Sequence, residues 1–205
     1  MFPITAVRIH IKSNKLMYIG VFLLYLLGFI VGSLYSNVIN QTDFSNSLVS
    51  VGDFIKNISA SPDALNFNNL IIPNISPTAT IFLSGLFLLG LPLVLFFVFK
   101  AGFSDGFFIA FLIKAFALKG FFLGMFFIAL NLFFMLPALE IMSVSSIDLN
   151  RYIWTSIDRR AGTQRNIKAA LIGYALVFIA AGFLIVLSTN LEIILLPKMV
   201  GYFFR

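Results

Sequence analysis

Three stretches of this chain, residues 16–42, 64–99 and 169–191, contain no Asp, Glu, Lys or Arg. Each exceeds the roughly 20 apolar residues of helix that cross the hydrocarbon core of a bilayer. A backbone placed there must satisfy its own N–H and C=O groups, and a continuous apolar run does so as a helix. The composition agrees: of 205 residues 60% are hydrophobic and 11% charged, where a soluble domain is about a quarter charged. An ordinary cytosolic, secreted or nucleic-acid-binding protein is thereby excluded. The chain reads as an all-α, polytopic transmembrane helical bundle whose first partner is the lipid bilayer. The formal charge of +6 then reports topology through the positive-inside rule, not nucleic acid.

Five spans are expected in one membrane domain, residues 1–205. The first covers about 16–35, preceded by Arg8, Lys12 and Lys15, which places the N-terminus in the cytoplasm. Its apolar stretch is longer than the hydrophobic core of a signal peptide, so it reads as a retained anchor. Residues 37–77 form a polar loop carrying Asp43, Asp53 and Asp63 against Lys56, suited to the outside. Ser76 and Pro77 look like a helix cap and first turn, opening a second span over 78–99 that Pro92 kinks. A third element over 102–118 is short enough to re-enter rather than cross. Lys119 and Gly120 make a tight turn into a fourth span, 121–142. The basic loop 143–168, with Arg151, Arg159, Arg160, Arg165 and Lys168 against Asp148 and Asp158, belongs inside. A fifth span, 169–188, leads to an interfacial tail, 191–205, broken by Pro197.

Candidate working residues are few. Helices in lipid approach where side chains are small, and such pairs occur at Gly28 and Gly32, Gly102 and Gly106, and Gly120 and Gly124. Asn131 shares a face with Gly120, Gly124 and Ala138 and reads as an interhelical hydrogen bond. Charge inside a membrane is costly and marks function by default. Lys100, Asp105 and Glu140 are expected as a polar cluster near the inner face, while Lys114 snorkels to the outer interface. In the outer loop Phe44, Leu48, Val51, Ile55 and Ile58 recur at spacings of four and three, which is one face of a helix. That stripe needs a surface: the membrane interface, the protein's own spans, or a partner protein for which it is the candidate docking stripe.

No complete catalytic set is found. The chain has no cysteine and one histidine, His10, which rules out thiolate, disulfide and histidine-cluster metal chemistry. There is no H-E-x-x-H or Walker loop; Gly102-Phe103-Ser104-Asp105-Gly106 spells G-x-S-x-G, but it does not follow a strand, as a nucleophile elbow does. Neither catalytic, cofactor-binding nor metal-binding residues are assigned, and the protein is expected not to be an enzyme.

The segment from Gly90 to Ile141 resembles one family. It reads Gly90-Leu91-Pro92, an apolar run, Lys100-Ala101-Gly102-Phe103-Ser104-Asp105-Gly106-Phe107, then Lys119-Gly120-Phe121-Phe122, Asn131 and Leu136-Pro137-Ala138. This order is similar to that of the stage II sporulation protein M family, with its G-L-P kink, G-F-x-x-G-F element, K-G-F and N…P-A. Asp105 and Glu140 stand where the family pattern assigns no role to them. The resemblance implies a multi-pass protein of the cytoplasmic membrane in an endospore-forming bacterium, at the sporulation septum and engulfing membrane. It implies a scaffold for the wall-degrading stage II sporulation proteins P and D; a homo-oligomer is left open. A permease component of an export system is the alternative, since broken helices with polar neighbours build transporter sites.

Overall fold

The computed structural model describes residues 12–60, 67–87, 90–157 and 167–203. Six helices carry them: α1 (Lys15–Val38), α2 (Gln41–Ala60), α3 (Phe67–Leu86), α4 (Leu91–Leu130), α5 (Leu136–Ile157) and α6 (Ile167–Phe203). A π-helical segment, Asn131–Met135, joins α4 to α5. Among the described residues three stretches are long and apolar enough to cross a membrane: Lys15–Val38, Leu91–Thr155 and Ile167–Phe203. Residues 71–86 form a shorter apolar helix.

The Leu91–Thr155 stretch is not one rod. Ala117 has φ 48° and ψ −122°, outside the regions that an L-residue adopts freely, and there the chain folds back on itself. Gly120 returns against the carbonyl of Leu112 and Gly124 against the Ile109 side chain, and Phe127 packs on Phe108 with ring centroids 5.3 Å apart. The outgoing arm is thus residues 91–116 and the return arm begins at 118. The turn falls two residues before the expected Lys119-Gly120. Gly120 serves instead as the point where the returning backbone touches the outgoing one, since a Cβ there would overlap Leu112.

Several expected boundaries move. The outgoing arm is continuous through Lys100 to Gly106, so there is no break between a second and a third element there. Instead α3 ends at Leu86 and α4 begins at Leu91; Gly90 N–H donates to the Phe87 carbonyl at 2.9 Å, and a Cβ on Gly90 would overlap Ser84. Pro92 accordingly sits in the first turn of α4, where its missing N–H leaves no bond unmade, and kinks nothing. Pro73 and Pro77 lie inside α3 rather than at its start, and Pro197 lies inside α6, which runs on through the expected tail. Proline is tolerated in such helices where neighbours re-satisfy the freed carbonyls. Pro137 follows directly on the π-helical segment, whose widened turn makes room for a ring that would otherwise meet the carbonyl four residues back.

The contacts fix helix directions. Val21 and Val98 share a core cluster, Ser33 Oγ donates to the Gly106 carbonyl at 3.1 Å, and Lys114 Nζ donates to the Ser36 carbonyl at 3.3 Å. These pairs rise together, so α1 runs parallel to the outgoing arm. A second core holds α3, α5 and α6 through Ile81, Met142, Tyr174, Phe178 and Ile185. There α6 runs antiparallel to α3: Asn74 Nδ2 donates to Thr189 Oγ1 at 3.0 Å, and Tyr174 Oη donates to the Phe82 carbonyl at 2.9 Å.

Residues 143–157, expected as the start of a loop, are helical, and Ser143, Ser145, Ser146 and Asn150 are buried. Ser143 Oγ and Ser145 Oγ are buried without a hydrogen-bond partner, whereas Ser146 and Asn150 are bonded. Ser146 Oγ bonds back to the Met142 carbonyl at 2.9 Å and lies 2.9 Å from Tyr174 Oη, while Asn150 Nδ2 donates to the Phe87 carbonyl at 2.6 Å. Arg8, His10, Arg159, Arg160 and Arg165 lie outside the described residues.

Candidate functional site

Two features of the Gly90–Ile141 segment meet α1. The first is a reciprocal glycine crossing. A Cβ on Gly28 would overlap the Phe99 carbonyl, and one on Gly32 the Phe103 carbonyl. From the other side, Gly102 lies against the Tyr25 carbonyl and Gly106 against that of Phe29. All four glycines are buried. Each helix therefore places its small-residue pair against the other's backbone, the geometry that van der Waals packing needs in lipid, where hydrophobic driving force between helices is absent. The crossing is flanked by a phenylalanine row. Phe99, Phe103, Phe107 and Phe111 follow one another at ring-centroid spacings of 6.5, 6.5 and 6.2 Å, and Tyr35 leans on two of them at 5.6 and 6.1 Å.

The second feature is a polar cluster beside the crossing. Tyr25 Oη donates to Asp105 Oδ2 at 2.7 Å, and Asn131 lines the same cavity as the Asp105 carboxylate. The glycine contact at Gly102 brings Tyr25 within reach, and the hairpin brings Asn131 back over Asp105. Of the expected trio, Lys100 and Asp105 line one cavity, and Glu140 is not among its lining residues. Lys100 lies over the Phe97 ring, 5.8 Å from its centroid. The relocated break sets the depth of Asp105: α4 starts at Leu91, so Asp105 stands about 21 Å along the arm at about 1.5 Å per residue, not near its end. Lys114 is similarly engaged within the protein, bonding the last turn of α1 and lying 4.7 Å from the centroid of the Phe44 ring.

The α2 stripe forms on the expected face but is turned inward. Ile55 and Ile58 are 6% and 2% exposed in a core with Leu112, Leu123, Leu196 and Val200, with Val51 packed against it. Phe44 packs on Phe111 at 5.2 Å, and Leu48 is half-buried. The stripe's surface is thus the protein's own helices, so it is not open for a docking partner. The tail of α6, expected at the membrane interface, supplies Leu196 and Val200 to this core.

Sequence reasoning missed Tyr25, Ser146, Tyr174 and Asn150, whose roles depend on partners 28 to 80 positions away. The one available signal was a polar atom on an otherwise apolar helix. Among the described residues no group of three or more His, Asp or Glu is placed to hold a metal ion.

Apolar helices of spanning length, a glycine-mediated crossing and a polar cluster inside the bundle define a multi-pass helical membrane protein. The family model of stage II sporulation protein M matches residues 21–189, which takes in the crossing, the hairpin and the polar cluster. The chain belongs to that family, and it is a membrane protein of sporulation. Comparison with curated proteins and with solved structures returned no match.

Proposed function

We propose that this protein is a non-enzymatic scaffold of the engulfment machinery, holding the peptidoglycan-degrading stage II sporulation proteins P and D at the septal membrane. The family match over residues 21–189 carries this reading. The reciprocal crossing of Gly28 and Gly32 with Gly102 and Gly106 supports it, because a scaffold needs helices in fixed register. In this reading the chain crosses the membrane five times, through α1, α3, the two arms of the hairpin and α6. The N-terminus and the basic 143–168 region face the cytoplasm, following the distribution of Lys and Arg. Docking falls on a surface other than the α2 stripe.

The experiment follows fluorescent fusions of proteins P and D in sporulating cells lacking this chain. Both are expected to lose their septal position and regain it on complementation. Unchanged localisation of both would remove the scaffold reading. The permease alternative has one observation in its favour, a largely apolar cavity with a few polar side chains beside interrupted helices, and substrate flux in reconstituted vesicles is its test.

A further inference from the structure

A cavity of about 300 Å³ lies where α1, α3, the two arms of the hairpin and α6 meet. Its wall is largely apolar, with Phe97, Met135, Leu136 and Ile185 among its residues. Set into that wall are Tyr25, Lys100, Ser104, Asp105 and Asn131. An apolar pocket with a few convergent polar groups is the usual form of a small-molecule site. By helical rise Asp105 stands about 21 Å from Leu91 and about 18 Å from the turn at Ala117, so the cavity lies near the middle of the hairpin.

The backbone is interrupted on two sides of this cavity. The return arm widens into its π-helical turn at Asn131–Met135, and both end residues of that turn line the cavity. On the other side Pro73 and Pro77, inside α3, line it too. Each proline lacks the N–H that would occupy the carbonyl four residues earlier. Irregular helix at membrane depth is tolerated where it is buried in protein or borders a hydrated cavity, and π-turns recur at functional sites.

The charges decide what kind of molecule fits. Asp105 takes a hydrogen bond from Tyr25 and shares the cavity wall with Asn131, which leaves part of the capacity of a carboxylate, about four acceptor positions, unused. Lys100 lines the same cavity from an exposed position, its ammonium toward the Phe97 ring. Those two side chains arise five residues apart on one helix, about 7.5 Å along its axis. A lone cation would be repelled by Lys100, a lone anion by Asp105, and an uncharged apolar molecule would leave both charges unmatched. From this placement we propose that the cavity is a binding site for a small zwitterion, its ammonium group at Asp105 and its acid group at Lys100. Such a site is required by neither the scaffold role nor the glycine crossing, and its test is separate from theirs.

The absence of native cysteine makes that test clean. Ser104 is exposed at the cavity, so Ser104→Cys introduces a single thiol there. The full chain in lipid nanodiscs is treated with a membrane-impermeant thiol reagent, alone and with L-alanine, β-alanine or phosphoethanolamine. Methylammonium and acetate serve as the separate halves. The thiol is expected to react, and at least one zwitterion at saturation to slow the reaction about fivefold or more while neither half does. Adding Lys100→Gln, also at an exposed position, is expected to abolish protection, judged as the ratio of rates with and without ligand within the same variant. An unreactive thiol, no protection by any of the three zwitterions, protection equalled by one half alone, or protection that survives Lys100→Gln would each overturn the proposal.

Discussion

Gly20 and Gly32 lie on the same helix, yet a methyl group would meet nothing at the first and the Phe103 backbone at the second. That contrast makes the crossing testable one residue at a time. Gly32→Ala and Gly106→Ala should each separate the helices and cost roughly 1–3 kcal/mol as an overpacked contact. Gly20→Ala and Gly182→Ala, where the space is open, should be neutral or stabilising by up to about 1 kcal/mol, because alanine suits a helix better. Reversible unfolding in mixed micelles measures all four; equal effects at the two kinds of site would refute the crossing. The spacing of these glycines was legible without coordinates, whereas their pairing was not. A four-residue repeat of glycine names a face but not what covers it.

At the scale of elements, α2 and the hairpin each turned on one local feature. The periodicity of Phe44, Leu48, Val51, Ile55 and Ile58 was sufficient to predict the helix and its apolar face. Its burial depended on Leu112, Leu123, Leu196 and Val200, which come from remote parts of the chain. Ile58→Ala should therefore destabilise by about 2–5 kcal/mol, the range for truncating a buried aliphatic side chain. By contrast, Val49→Asp, at a site 63% exposed on the opposite side, should change stability by less than about 0.5 kcal/mol. Thermal denaturation of the two variants separates a buried stripe from an open one. In the hairpin, Ala117 holds a positive φ among the described residues, where glycine carries no Cβ penalty. Ala117→Gly should raise the unfolding free energy by about 1 kcal/mol, within the strain such a conformation stores. Hydropathy could not locate this turn, because apolar residues continue through it on both sides.

For the whole molecule, the prediction concerns how many times the chain crosses. Cysteine-free background allows single-site labelling in intact cells with an impermeant reagent. Asp53→Cys on α2 and Lys119→Cys just past the turn, both exposed, should label from outside, while Arg151→Cys should label only after permeabilisation. Labelling of Lys119→Cys from the cytoplasmic side alone would eliminate the crossing by the outgoing arm and with it the five-span count. The boundary errors share a cause. Residues 143–157 look like a loop because serine, aspartate and arginine are polar, yet Ser146 and Asn150 spend that polarity on Tyr174 and the Phe87 carbonyl. Lys100, Asp105 and Glu140 look like one cluster because their heights depend on where α4 starts, which composition does not specify. Hydropathy, periodicity and motif order are local properties, and they were enough for the solvent, the helical class, the amphipathic face of α2 and the family. The pairing of glycines, the burial of the stripe and the meeting of Tyr25, Asp105 and Asn131 needed coordinates, because each depends on contacts between residues far apart in the chain.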